Sequence, residues 1–334
     1  MTGPTVAVLG AGSWGTTLAD LLARKGLPVV LWAYEPAVAE SINQGHENAL
    51  YLAGCQLDAR LRATTDPAAA VRGADVVVSA SPSHVVRGVL TSVAGAVGAT
   101  AVVASATKGI ETDTLALMSD VAAEALPGRP FVALSGPSFA QEVYQGQPTA
   151  VVAASADPAA ALAVQQLFAT GYFRVYSNRD VVGTELAGAL KNVIAIAAGI
   201  LEGLGLGNNP RAALITRGLA EMSRLGAALG ADPRTFAGLA GMGDLILTTC
   251  GALSRNRALG VAVAGGETLE HHRSGHRTVA EGANTARAAV RLAARHGVEM
   301  PICEKVAEVL FENKPPRQAI AELMERTLKP EQGT

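Results

Sequence analysis

The chain has 334 residues with 27 Lys+Arg against 29 Asp+Glu, a formal charge of −2 that excludes a generic polyanion binder such as a nucleic-acid protein. It is 49% hydrophobic but only 4% aromatic and carries 36 glycines, a small-aliphatic mixture that excludes a disordered chain and suits helices packed closely on a sheet. Three cysteines, Cys55, Cys250 and Cys303, with no CxxC spacing, indicate neither a disulfide framework nor a thiolate zinc site.

From the N-terminus, no basic leader with an apolar stretch precedes the first strand-like segment, so the expected compartment is the cytoplasm. Short β-branched runs then alternate with helical stretches. Val6–Leu9, Val29–Trp32, Val76–Val78, Ala101–Val103, Phe131–Leu134, Ala150–Val152 and Phe173–Tyr176 read as strands. Such continuous apolar runs suit a parallel sheet covered on both faces, which predicts a doubly wound α/β architecture. From about Gly183 helical spacing takes over and continues to Leu328. The predicted domains are 1–183 and an all-α C-terminal domain over 184–329, with 330–334 a frayed tail. The apolar run Val193–Leu201, between Lys191 and Glu202, is about half the ~20 residues of a bilayer span, so no membrane insertion is expected.

Directly after the first strand stands Gly10-Ala11-Gly12-Ser13-Trp14-Gly15, a GxGxxG opening a helix. Gly10 suits a tight turn, Gly12 lets backbone approach a pyrophosphate, and Gly15 lets helix and strand pack closely, while the helix N-terminus offers free N–H groups to phosphate. In that strand–loop–helix context the motif predicts a Rossmann-like domain holding NAD or NADP; the alternative is a purely structural glycine turn. The second strand ends in Ala33-Tyr34-Glu35. A carboxylate there accepts from a ribose 2′-OH and repels a 2′-phosphate, which leans toward NAD, unless Glu35 is simply a solvated loop residue.

Further along, Thr107-Lys108-Gly109 and Ser135-Gly136-Pro137-Ser138-Phe139-Ala140 follow strands, where ligands of open α/β sheets bind. Lys191 and Asn192 then interrupt a nearly apolar helix. Desolvation, with Lys108 or Arg255 nearby, lowers the pKa of such an amine toward the range useful for proton transfer, and Ala187, Gly188, Ala195 and Ala198 leave room for a ligand above it. The alternative is a lysine that snorkels or pairs with Glu185 or Glu202. Asp244 in Gly243-Asp244-Leu245 can hold a substrate hydroxyl or orient a lysine, with Thr248 a helper, and Arg255 can grip a phosphate with Ser254 and Asn256 adding neutral donors. His271, His272 and His276 lack the partners of a metal site and read as a solvated loop, so no metal is expected. Lys314-Pro315-Pro316-Arg317 reads as a break between helices.

Taken together and in order, Gly10-Ala11-Gly12-Ser13-Trp14-Gly15, Thr107-Lys108-Gly109, Ser135-Gly136-Pro137-Ser138, Glu185-Leu186 with Ala189-Leu190-Lys191-Asn192, Gly203-Leu204-Gly205-Leu206-Gly207-Asn208-Asn209, Gly243-Asp244-Leu245 and Ser254-Arg255-Asn256 make the chain resemble the soluble NAD(P)-dependent glycerol-3-phosphate dehydrogenases over roughly 5–328. The resemblance implies reversible reduction of dihydroxyacetone phosphate, a small phosphorylated three-carbon substrate, to sn-glycerol 3-phosphate for phospholipid synthesis. It gives Lys191 the proton-acceptor role and places Lys108, Gly136, Ser138, Asp244, Ser254, Arg255 and Asn256 around the substrate. It likewise implies that Ser13, Trp14, Tyr34, Lys108, Ala140, Arg255, Val279 and Glu281 contact the dinucleotide. Many bacterial members carry Arg or His just after the tryptophan of the second strand, where this chain has Ala33-Tyr34-Glu35. Rival readings are a ketopantoate reductase or β-hydroxyacid dehydrogenase, which need a carboxylate pocket, and a non-catalytic dinucleotide sensor. The apolar helical half could present the surface of a homodimer.

Overall fold

The computed structural model describes residues 3–275 and 280–331. Its first half is built on one eight-stranded sheet of β1 (Val6–Leu9), β2 (Val29–Trp32), β3 (Arg62–Thr64), β4 (Val76–Ser79), β5 (Val102–Ser105), β6 (Phe131–Ser135), β7 (Thr149–Ala154) and β8 (Phe173–Asn178), in the order β3-β2-β1-β4-β5-β6-β7-β8. The chain runs outward from β1 to β3 and then returns to β4 on the other side of β1. Leu9 lies level with both Trp32 and Ser79, so the carboxyl ends of the three strands meet at this reversal, where open α/β sheets bind their ligands. β1 is buried at every residue, with Val6 and Val8 in one apolar core and Ala7 and Leu9 in another, as a strand covered on both faces requires.

Two features depart from the expected sheet. β3 was not predicted, because a three-residue Arg62-Ala63-Thr64 edge strand has no apolar run to announce it; charge on an edge is also what discourages pairing with a second chain. β7 runs antiparallel to β6, with Ala133 opposite Ala154. A parallel return needs a long crossover, usually a helix lying across the sheet. The connection here holds only the one-turn helix Ala140–Tyr144, which is tied to the helix Ser13–Arg24 through Thr17 Oγ1 donating to the Ala140 carbonyl at 3.3 Å.

After Asn178 no further strand occurs among the described residues. The helix Val181–Gly203 begins where Asp180 accepts from the Gly183 N–H at 2.8 Å. At 23 residues it is long and apolar enough to cross a membrane, which corrects the estimate made from Val193–Leu201 alone. It is instead the core of the helical half: 89% of its most apolar window is buried, under helices that include Asn208–Ala228, Asp244–Cys250, Arg255–Ala264 and Glu281–Arg295. Packing there is backbone on backbone. A Cβ on Gly199 would stand 2.0 Å from the Arg257 carbonyl oxygen, and one on Gly260 2.1 Å from that of Ile196. Glycines around Lys191's helix therefore serve helix crossing before they serve any ligand. The Pro315-Pro316 pair does separate two helices, Pro301–Phe311 and Pro316–Met324. Lys329, just before the expected tail, is tied to Glu299 at 3.0 Å, and residues 332–334 of that tail lie outside the described residues.

Candidate active site

At the nucleotide end the three glycines separate by what each faces. Gly10 has φ +118°, and a Cβ there would come within 2.9 Å of the Ala80 and Ser81 backbone. At Gly15 a Cβ would stand 1.9 Å from the Gly10 carbonyl oxygen, so the helix Ser13–Arg24 seats on the loop only without a side chain. Gly12 is different: its Cβ would meet nothing within 4 Å, so internal packing makes no demand for glycine there. The space above it belongs to a cleft of about 880 Å³. The first turn of the helix has no side-chain cap, and Gly12, Ser13 and Trp14 at its start line that cleft, as a phosphate site would require. These observations fit a dinucleotide.

The same cleft is lined by Ser13, Trp14, Tyr34, Glu35, Lys108, Ser138, Ala140, Lys191, Thr248, Ser254, Arg255, Asn256 and Glu281. Trp14 leans on Phe173 at 6.4 Å between ring centroids, and Tyr34 is 80% exposed with its ring edge-on to Trp32. Glu35 does not hang free in solvent. Tyr51 Oη donates to Glu35 Oε1 at 2.7 Å, which holds the carboxylate at the rim of the cleft. Glu281 opens the helix Glu281–Arg295 and accepts from the Ser83 Oγ–H at 2.7 Å and the Ser83 N–H at 3.3 Å; burial pushes its carboxyl above the usual range. Val279 and His276 lie outside the described residues. His271 and His272 both face Glu267, at 4.0 and 3.5 Å.

Three elements far apart in sequence converge on one carboxylate. Lys191, on the central helix, reaches Asp244 Oδ1 at 3.0 Å and donates to Thr248 Oγ1 at 2.5 Å. Lys108, from the loop after β5, donates to Asp244 Oδ2 at 2.6 Å and to the Gly136 carbonyl at 2.9 Å. Thr248 Oγ1 in turn donates to Asp244 Oδ1 at 3.3 Å. Asp244 is 1% and Lys191 7% exposed, so these charges interact in a poorly solvated place. Desolvation, reinforced by the Lys108 ammonium and opposed by Asp244, brings the Lys191 amine down to about 8. Burial alone would raise the Asp244 carboxyl, but the two ammoniums outweigh it and hold it below the ordinary carboxylate range. Each ammonium has three donors and has used two, so each keeps one for an oxygen in the cleft.

Lys191 pairs with neither Glu185 nor Glu202: Glu185 is bound to Ser119, and Glu202 to Arg257 and Arg211. The clearance expected at Gly188 is real but taken by protein. A Cβ there would lie 2.7 Å from Ser135 Oγ and 3.5 Å from Lys108 Cγ, so Gly188 makes way for the stem of Lys108 on its path to Asp244. Arg255 stands on the cleft wall with no hydrogen bond among the described residues, free to grip an anion. Its neighbours are partly committed. Ser254 Oγ caps the helix Arg255–Ala264 by accepting from the Arg257 N–H at 3.2 Å, and keeps its own O–H to donate. Asn256 donates to Asn192 Oδ1 and accepts from the Gly282 N–H, both at 2.9 Å, which leaves one N–H. Ser138 Oγ donates to the Gly136 carbonyl at 3.0 Å. Gly136 itself has φ +137°. Asn208 and Asn209 are exposed at the start of their helix and do not line the cleft. Tyr51 and the Glu185–Ser119 contact escaped the sequence reading, since neither Tyr51 nor Ser119 lies in a spaced motif.

Models of two protein families cover nearly the whole chain: NAD-dependent glycerol-3-phosphate dehydrogenase N-terminus over residues 5–161 and C-terminus over 180–321. The glycerol-3-phosphate dehydrogenase (NAD(P)+) of Geobacter metallireducens is 58% identical, with 99% of this chain and 100% of the relative aligned. The crystal structure of glycerol-3-phosphate dehydrogenase from Coxiella burnetii superimposes with a TM-score of 0.93 at 39% identity, covering 97% of this chain and 99% of that one. A ketopantoate reductase from Ralstonia eutropha shares the fold alone, at 18% identity and a TM-score of 0.59 over 96% of this chain and 100% of its own. With both halves matched and the fold superimposed end to end, the chain belongs to the NAD-dependent glycerol-3-phosphate dehydrogenase family.

Proposed function

We propose that this protein interconverts dihydroxyacetone phosphate and sn-glycerol 3-phosphate with NAD(H) or NADP(H), residues 1–183 serving the dinucleotide and 184–329 the substrate. The observation that carries the reading is the buried Lys191–Asp244–Lys108 cluster, in one cleft with the uncapped helix behind Gly12. Gly12 and the helix N-terminus behind it would take the pyrophosphate, in a loop shaped by Gly10 and Gly15, with Ser13, Trp14, Tyr34, Lys108, Ala140, Arg255, Val279 and Glu281 the remaining dinucleotide contacts. When bound, the nicotinamide supplies the hydride in reduction and accepts it in oxidation. Glu35, fixed by Tyr51, supports a preference for NAD.

In the oxidation direction the neutral Lys191 amine takes the proton of the substrate hydroxyl; in reduction its ammonium returns it to the carbonyl oxygen. An amine poised at about 8 keeps both states populated near neutral pH. Asp244 and Thr248 aim that nitrogen, while Lys108 offers its remaining N–H to the neighbouring substrate oxygen beside Gly136 and Ser138. Arg255, with Ser254 and the spare N–H of Asn256, binds the phosphate, so that binding energy remote from the reacting carbon holds it in place. A ketopantoate reductase would put a carboxylate against Arg255, and a non-catalytic sensor would have no use for the Lys191 cluster. NADH oxidation with dihydroxyacetone phosphate, with ketopantoate and with buffer alone separates the three; turnover of ketopantoate or of nothing overturns the proposal. Three free cysteines, two of them buried, support a cytoplasmic setting, where the product would feed phospholipid synthesis.

A further inference from the structure

Lys108 begins a segment that leaves the sheet domain and packs into the other half. Ile110, Leu115 and Leu117 are each no more than 5% exposed and belong to the apolar core of the C-terminal helices, together with Leu186, Leu190 and Ala289. The segment is closed on itself, with the Glu111 N–H donating to the Ala116 carbonyl and the Leu115 N–H to the Glu111 carbonyl, both at 3.0 Å. Leu115 takes φ +66°, a conformation a leucine adopts only when its surroundings impose it. Groups of the helical half hold the segment from outside, Arg295 among them through the Thr114 carbonyl at 3.3 Å. Arg291 donates to the Thr112 carbonyl at 2.6 Å, and Glu185, buried on the same helix as Lys191, accepts from the Ser119 N–H at 2.9 Å and the Ser119 Oγ–H at 2.5 Å. The proposed reaction gives Glu185 nothing to do, yet a carboxyl this buried persists only with such partners.

We infer that the 109–119 segment is a strap by which the helical half positions Lys108, and that Glu185 and Arg291 are positioning residues acting through it. Lys191 and Glu185 share one rigid helix, so the strap fixes the distance between the two amines that grip Asp244 without any contact of its own with the cleft. The inference rests on the proposed reaction for its kinetic consequence, but its mechanical core does not.

The test is therefore read two ways in the full-length protein. Acetylation of lysines by dilute acetic anhydride, followed by mass spectrometry, reports the exposure of the Lys108 amine. Arg291→Ala, at an exposed residue that tolerates truncation, and Ser119→Ala are each expected to raise Lys108 labelling at least fivefold and leave that of Lys305 unchanged, with Arg291→Lys restoring part of the protection. Labelling of Lys108 unchanged in both variants overturns the strap. In steady-state kinetics the same variants are expected to lower kcat with dihydroxyacetone phosphate about tenfold with little change in the KM for NADH. In a Lys108→Met background that loss should vanish, because positioning residues have nothing left to position; losses that simply add in the double variants overturn the inference. If wild-type protein does not turn over dihydroxyacetone phosphate, the functional reading falls while the labelling still decides the strap.

Discussion

The two ends of the cleft are made of different material. At the nucleotide end the proposed phosphate contacts are backbone: the loop at Gly12, where a Cβ would meet nothing, and the uncapped first turn of the helix Ser13–Arg24. At the substrate end they are charged side chains taken into the protein, with Asp244 and Lys191 nearly inaccessible. Backbone binds a pyrophosphate without titrating and without burying a charge in the free protein. Proton transfer needs the opposite, a group whose charge is costly to bury and is therefore poised to change. The difference predicts that damage at the nucleotide end is steric and indifferent to pH, and that damage at the substrate end is electrostatic.

The widest break between the ends should come from Lys191→Ala, which we expect to lower kcat about 1,000-fold, the range general acid–base groups supply, with the Kd for NADH by calorimetry unchanged. Near-normal turnover would remove Lys191 from the chemistry. In wild-type protein, glycerol 3-phosphate oxidation should rise with pH through about 8 as the amine loses its proton, and the reverse reaction should fall over the same range. Asp244→Asn should move that inflection lower, since it removes the carboxylate that stabilises the ammonium.

Next in size is Arg255→Ala. With no hydrogen bond to its guanidinium among the described residues, Arg255 contributes through the ligand, so we expect about a 100-fold loss in kcat/KM for dihydroxyacetone phosphate, the order of a lost charge-assisted pair, and little change for unphosphorylated dihydroxyacetone. Equal losses for both substrates would place the phosphate elsewhere.

The two ends also differed in how far they could be read from sequence. The glycine loop is contiguous, so GxGxxG after Val6–Leu9 located it and announced the turn at Gly10 and the close packing at Gly15. The substrate end spans Lys108 to Asp244, and no spacing says that two lysines share one carboxylate through separate oxygens; family resemblance named the residues, and packing joined them. Motif reading also misassigned a small residue. Gly188 clears a path for Lys108 where space for a ligand was expected. In the sheet, β3 was missed because an edge strand can be polar, and the reversal at β7 because apolar runs carry no direction.

A smaller effect sharpens the steric side. Gly12→Ala places a methyl in the open cleft and Gly15→Ala places one inside the Gly10 carbonyl. The first should raise the KM for NADH about tenfold, worth ~1.4 kcal/mol, with Tm unchanged. The second should lower stability by about 2 kcal/mol, the scale of overpacking, in urea denaturation. Similar Tm values for both variants would mean that the loop relaxes around either methyl.

The smallest effect on turnover, effectively none, is expected for Glu221→Gln, and it separates a buried titratable group that serves stability from one that serves chemistry. Glu221 is 2% exposed and accepts from the Ile302 N–H at 2.8 Å at the start of the helix Pro301–Phe311. Burial raises its carboxyl to about 7, against an ordinary 4.5. Between those values the folded chain binds a proton that the unfolded chain has lost, so stability falls as pH rises from 4.5 toward 7. Buried Glu185, pushed to about 8, adds a slope of the same sign that extends further. Urea unfolding at pH 5, 6 and 7 should show the wild type losing about 1–3 kcal/mol across the series and Glu221→Gln losing less, with kcat alike in the two proteins. Parallel slopes would mean that Glu221 is ionised in the folded protein throughout, so that the N–H groups it caps outweigh its burial.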